Sequence, residues 1–134
     1  MNPHYLYLAV DLAVIGIPLA LSFDRKVRFA RFWPALFPAI GIMMAVFMPW
    51  DIAFTANGIW GFNEAYLSGI WLLGLPLEEW LFFICIPFAC VFTHYALLLY
   101  FPNLKLNKTS TKWISSGLMM LLFVLAVVNY DKWY

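Results

Sequence analysis

Four long apolar runs, separated by short segments that hold most of the charge, constrain this chain more than any other feature. They extend from about Tyr5 to Phe23, Phe32 to Met48, Leu77 to Phe101 and Trp113 to Tyr130. A helix crossing a hydrocarbon layer of about 30 Å needs roughly 17–25 residues, and each run is of that order. The chain is 65% hydrophobic and only 11% charged, whereas a soluble domain carries about a quarter charged residues. Charge this sparse cannot cover a water-exposed surface, so the expected solvent is lipid. The expected fold is all-α, a polytopic transmembrane helical bundle of four spans within a single membrane domain.

Basic residues set the expected orientation. Arg25, Lys26, Arg28 and Arg31 fill the first connection, and Lys105, Lys108 and Lys112 fill the third. Loops rich in lysine and arginine stay in the cytoplasm, which puts the N-terminus outside. The segment from Trp50 to Pro76 then lies outside too. Its turn signals, Asn57-Gly58 and Ser68-Gly69, predict a loop with a short interfacial piece, and Trp50, Trp60, Tyr66 and Trp71 suit the headgroup layer. Pro34 and Pro38 suit a first helical turn. No cleavable signal peptide is expected, because the N-terminus lacks a basic n-region and an A-x-A-like site.

With that topology nearly all carboxylates gather in the outer half of the membrane. Glu78 and Glu79 open the third helix, Asp51 follows the second and Glu64 lies in the outer loop. Asp11 sits inside the first helix, where His4, Asp11, Pro18 and Ser22 form a narrow polar stripe predicted to face other helices. An ionisable residue at that depth is a functional hypothesis by default. Cys85 and Cys90 fall about 140° apart on a helix, too far round for a ready disulfide or a shared metal, and both are expected in the core. His94 is likewise expected to be a core histidine.

Glu78 and Glu79 have an ordinary explanation, since acids in a first turn are favoured by the helix dipole by about 0.3–1 kcal/mol. Two features weigh against it. No basic residue is expected on their side before Lys132, and the flanks are aromatic: Trp80, Phe82, Phe83, Phe88, Phe92. A carboxyl withdrawn from water and close to like charge holds its proton more tightly, and a protonated carboxyl beside an apolar chamber is a general acid. Aromatic faces stabilise a nearby positive charge. Acid plus aromatic wall suits protonation of an alkene and guidance of a carbocation. Metal, nucleotide and nucleophile sites are not expected, for want of clustered histidines, a Gly-rich phosphate loop or a nucleophile motif. The net charge of +1, with no long basic run, argues against nucleic acid as a partner.

The segments PWDIAFTANGIWGFN, PLEEWLFF and IPFACVFTHY resemble the small membrane lycopene cyclases: the two-subunit bacterial lycopene β-cyclases, their fused forms, and the cyclase half of fungal bifunctional carotenoid enzymes. The resemblance runs through roughly Tyr5 to Tyr100. It implies a lycopene β-cyclase of carotenoid biosynthesis, an isomerase or intramolecular lyase in type, in the bacterial cytoplasmic membrane. Lycopene or a related carotenoid is the implied substrate, and no redox cofactor is required because the reaction gains and loses no electrons. Glu78 and Glu79 are the implied acids, with Asp51 and Asp11 as base or tuning partners. Trp50, Trp60, Phe62, Asn63, Trp80 and Phe83 are the implied substrate-binding residues. The family's working unit has two related halves. Here about residues 1–102 make one repeat, and the end of the last run, Tyr130-Asp131 to Tyr134, echoes Trp50-Asp51 to Phe54. About residues 113–134 are therefore expected to begin a second repeat, so that the chain needs a second cyclase half or forms a homo-oligomer. A non-catalytic carotenoid-binding or assembly subunit, a related cyclase or hydratase, and a small proton-conducting bundle are the rival readings.

Overall fold

Apolar runs satisfy their backbone polar groups most simply as helices, and a computed structural model of the chain, describing residues 3–103 and 107–132, is 75% helical. It divides into two units, Met1–Tyr100 and Phe101–Tyr134. Lys105, and Trp133 and Tyr134 of the echoed aromatic pattern, lie outside the described residues.

The first unit holds three α-helices: α1 (Leu6–Leu21), α2 (Trp33–Ala56) and α3 (Leu77–Tyr100). Helices α2 and α3 are long and apolar enough to cross a membrane, as is α4 below, whereas α1 is a shorter apolar helix of 16 residues. A 3-10 turn over Pro3–Tyr5 leads into α1. α1 and α3 pack along each other, with Asp11 beside the start of α3. At the other end the loop after α1 meets the last turns of α3, where the Tyr95 hydroxyl donates to the Val27 carbonyl at 3.1 Å. The two helices are therefore parallel. α2 runs the opposite way, because Trp33 at its start packs on Phe88 while Asp51 near its end lies by Glu79.

Only two residues of α1 are buried, Asp11 and Pro18, and Ser22 just beyond the helix is buried too. The predicted polar stripe thus faces inward, except at His4, which is exposed in the 3-10 turn. The Ser22 hydroxyl donates back to the Pro18 carbonyl at 2.6 Å, which removes the cost of burying it. Around Phe29 the core is aromatic. Its ring meets Phe88 and Phe92 edge-on, at 5.7 and 5.2 Å between centroids, the geometry that ring quadrupoles favour.

α2 departs from expectation. It continues past Met48 to Ala56, so Asp51 lies within the helix and not after it. Pro38 and Pro49 both stand inside it; Pro38 lies beyond the first turn. Each proline gives up one backbone bond, a loss that a helix surrounded by apolar partners tolerates better than unwinding, which would forfeit many. The segment between α2 and α3 is also more ordered than a loop. A 3-10 turn spans Glu64–Tyr66, and a hairpin pairs β1 (Trp71–Leu72) with β2 (Leu75–Pro76), Leu72 opposite Leu75. Its two-residue turn, Leu73-Gly74, has φ of 53° and 86°, the left-handed pair of a tight hairpin. Leu75 and Pro76 are buried and run directly into α3. Cys85 is buried, but Cys90 and His94 are exposed, which corrects both from the core. They lie on the face of α3 turned away from Phe88 and Phe92.

The second unit contains α4 (Lys108–Val128), which begins earlier than the apolar run because Asn107 caps it, its side chain accepting from the Ser110 N–H at 2.6 Å.

Candidate active site

The end of α2 is shaped by its cap. Gly58, with φ 67°, ends the helix in a left-handed step; the Ile59 N–H reaches the Phe54 carbonyl and the Gly58 N–H that of Thr55, each at 3.0 Å. This paired closure reverses the chain and lays Trp60 back against α2. Its ring packs 5.4 Å from Trp50 and 5.0 Å from Phe54. Its indole N–H donates to Asp51 Oδ1 at 2.8 Å and to Thr55 Oγ1 at 3.1 Å. Asp51 is only 4% exposed, and its second oxygen has no partner among the described residues.

At the start of α3, Glu78 and Glu79 are successive and so diverge by about 100°. Glu78 turns toward the hairpin and α1. It is 3% exposed; Oε1 accepts the Ser68 N–H at 2.7 Å, while Oε2 is buried without a partner among the described residues. Its carboxylate acts on that of Asp11. Glu79 turns toward α2, where it shares a cavity wall with Asp51, and it shares a second one with Asp11. Three helices thus bring four carboxyl groups to one end of the unit. Among the described residues, no three histidine, cysteine, aspartate or glutamate side chains converge as a metal-ligand set.

Two cavities flank Glu79. One, of about 310 Å³, is lined by Trp50, Asp51, Trp60, Phe62 and Phe83 together with Glu79. The other, of about 280 Å³, has Tyr7, Val10, Asp11, Glu78 and Phe82 in its wall, again with Phe62 and Glu79. Phe62 and Glu79 therefore form the partition between them.

A lycopene cyclase family model matches residues 4–97 of the chain. The chain belongs to the lycopene cyclase family. The matched residues contain all four carboxylates and both cavities, so the site just described lies within the part that defines this carotenoid-cyclising family. No curated protein and no solved structure was found to match the chain.

Within this lycopene cyclase domain, the expected residues divide. Glu78, Glu79, Asp51 and Asp11 come together, and Trp50, Trp60, Phe62 and Phe83 line the cavities beside them. Asn63 and Trp80 stand elsewhere. Asn63 is exposed and its side chain caps the Glu64–Tyr66 turn, accepting from the Ala65 N–H at 3.1 Å. The Trp80 indole donates to the Leu72 carbonyl at 3.2 Å, bracing the hairpin on α3. Glu64 is exposed beside His4 and Tyr5 in a separate cleft. Ser68, Thr55 and Tyr7 were not foreseen. Tyr7 had a signal, since it lies one turn before Asp11 on the same face of α1; the Ser68 contribution is a backbone N–H, which no side-chain pattern reveals.

Proposed function

We propose that this chain is a lycopene β-cyclase, or one half of one, with Glu79 as the acid. The observation that carries this reading is that Glu79 stands in the partition between two aromatic-walled cavities, with a second carboxyl, Asp51, in the wall of one of them. Each cavity is of the size of a small ligand site, which suits one end group of a polyene. The protonated Glu79 gives its proton to the terminal double bond, leaving a tertiary cation. The next double bond attacks that centre, closes the ring and moves the positive charge along it. Asp51, held by Trp60, takes a ring proton, which restores a double bond. Electrons and protons balance over the cycle, and Asp51 passes the proton back to its neighbour Glu79. The rings of Trp50, Trp60 and Phe83 face the cation with their π-density, while Glu78 and Asp11 stand in the wall of the neighbouring cavity beside Glu79.

The same reading makes the chain a four-span protein of the bacterial cytoplasmic membrane with its N-terminus outside. Alternation of α1, α2 and α3 supports it, as does the separation of the acidic end from the basic loop at Arg25–Arg31. α1 supplies about 24 Å of helix, and its leading 3-10 turn about 6 Å more, enough for a hydrocarbon layer. A second cyclase half or another copy completes the chamber.

Expression in a bacterium that accumulates lycopene, followed by pigment chromatography, tests the assignment. Cyclic carotene is expected from the wild type, alone or with a second half. Glu79→Gln should lower conversion by at least about a hundredfold while still inserting in the membrane. Full turnover by that variant sinks Glu79 as the acid; unaltered lycopene with every partner and a folded wild type leaves a pigment-binding subunit instead.

A further inference from the structure

The proposed chemistry leaves the opposite end of the Met1–Tyr100 unit unused. There a largely apolar groove of about 370 Å³ runs between α2 and α3, with Phe32, Ala35 and Leu36 on one wall and Val91, His94, Tyr95 and Leu98 on the other. From Val91 to Leu98 it climbs about 10 Å at 1.5 Å per residue, room for part of an alkyl chain. Arg31 stands at its mouth. The guanidinium lies 4.7 Å from the centre of the Phe32 ring and 6.0 Å from that of Tyr95, and its Nη2 donates to the Tyr95 hydroxyl at 3.1 Å. Two groove-lining rings thus fix the position of an exposed cation.

Charge around the mouth is one-sided. Arg25, Lys26 and Arg28 are exposed in the same loop. The only acid there, Asp24, has its Oδ1 engaged by the N–H groups of Lys26 and Val27, at 2.8 and 3.2 Å. A guanidinium carries five N–H donors in a planar fork that matches phosphate, and the Tyr95 bond uses one of them.

We propose that this groove binds an anionic phospholipid, one acyl chain between α2 and α3 and the phosphate on Arg31. The occupant follows from the pairing of the two parts. A neutral polyene would gain nothing from a cationic rim, and a second protein helix laid in the groove would bury Arg31 at a desolvation cost. An anionic lipid satisfies both, and basic pockets between helices on the cytoplasmic side are where such headgroups bind. The site rests on the chain being embedded in a membrane, and it is independent of the cyclisation chemistry.

The test is native mass spectrometry of the full chain purified in neutral detergent, with phosphatidylglycerol and phosphatidylcholine of identical acyl chains supplied in equal amount. Phosphatidylglycerol should be retained at least about tenfold over phosphatidylcholine, a tenfold ratio being about 1.4 kcal/mol. Arg31→Gln should abolish the preference and Arg31→Lys should keep part of it. Ala35→Trp, which fills the groove, should lower retention of both lipids. Equal retention of the two lipids, or a preference unchanged in Arg31→Gln, overturns the proposal. So does displacement of the lipid by lycopene in an Ala35→Trp-sensitive manner, or a shift of the lipid-free protein to a dimer that Ala35→Trp abolishes. Circular dichroism checks that each variant is helical, and Arg31→Lys carries the comparison if Arg31→Gln fails to fold.

Discussion

The bond from Trp60 to Asp51 can be tested with Trp60→Phe. The change keeps an aromatic ring against Trp50 and Phe54 but removes the N–H that reaches Asp51 Oδ1 at 2.8 Å. Asp51 is 4% exposed and its other oxygen is unpartnered among the described residues, so the variant removes the donor that the structure shows on a buried carboxylate. A hydrogen bond to a charged group contributes about 1.5–3 kcal/mol. The smaller ring also loses packing. At roughly 25 cal/mol per Å², the few tens of Å² removed cost about 1 kcal/mol. A double-mutant cycle separates the two parts, because the packing loss is common to both backgrounds. In wild type, Trp60→Phe should lower the unfolding free energy, measured by SDS titration in mixed micelles, by about 3–5.5 kcal/mol, the bond to Thr55 included. In Asp51→Ala the same change should cost the packing part and the bond to Thr55 Oγ1, together about 1.5–2.5 kcal/mol. The coupling should therefore be about 1.5–3 kcal/mol, and turnover in otherwise wild-type protein should fall by roughly ten- to a hundredfold if the indole also holds the base in place. Equal costs in the two backgrounds would refute the reasoning.

Other changes give equally definite expectations. Ser68→Ala should leave Glu78 anchored and alter stability by under about 0.5 kcal/mol, since the donor is the backbone N–H, whereas Ser68→Pro removes that donor and should cost about 1.5–3 kcal/mol in the same titration. Tyr95→Phe deletes a hydroxyl that donates to Val27 and accepts from Arg31; a loss of about 1–2 kcal/mol with unchanged turnover is expected. Phe29→Ala opens the aromatic core, where Phe29 is 1% exposed, and should cost about 3–5 kcal/mol. Leu73→Asn should stabilise the hairpin by up to about 1 kcal/mol, because asparagine tolerates the left-handed backbone that leucine adopts there at φ 53°.

Much of this arrangement was legible in the amino-acid order, and the exceptions share a cause. The limits of α1 and α3 follow from where apolar residues start and stop. The inward stripe of Asp11, Pro18 and Ser22 follows from helical periodicity, and Asn57-Gly58 announces the cap that turns Trp60 back. The extent of α2 was not legible, because Pro49-Trp50-Asp51 reads as an ending wherever water is available to solvate a broken helix. His94 and Cys90 resemble core residues only until α3 is seen to pack through Phe88 and Phe92. The tight turn at Leu73-Gly74 lacks the usual residue at its first position. The partners of Asp51 and Glu78 were hidden because they depend on the chain folding back over several residues, which local patterns do not encode.

The buried aspartate of α1 also bears on how such a chain is built. Asp11 finds its shelter against α3, whose first residues are synthesised long after α1 has left the ribosome. An isolated helix pays roughly 3 kcal/mol to carry an aspartate at mid-membrane and less toward the interface where Asp11 lies, and α1 has only 16 residues with which to offset it. If α1 spans the bilayer as proposed above, its lodging there is provisional until α3 arrives. On that four-span reading, a nascent chain halted before Leu77 should release α1 to the membrane surface.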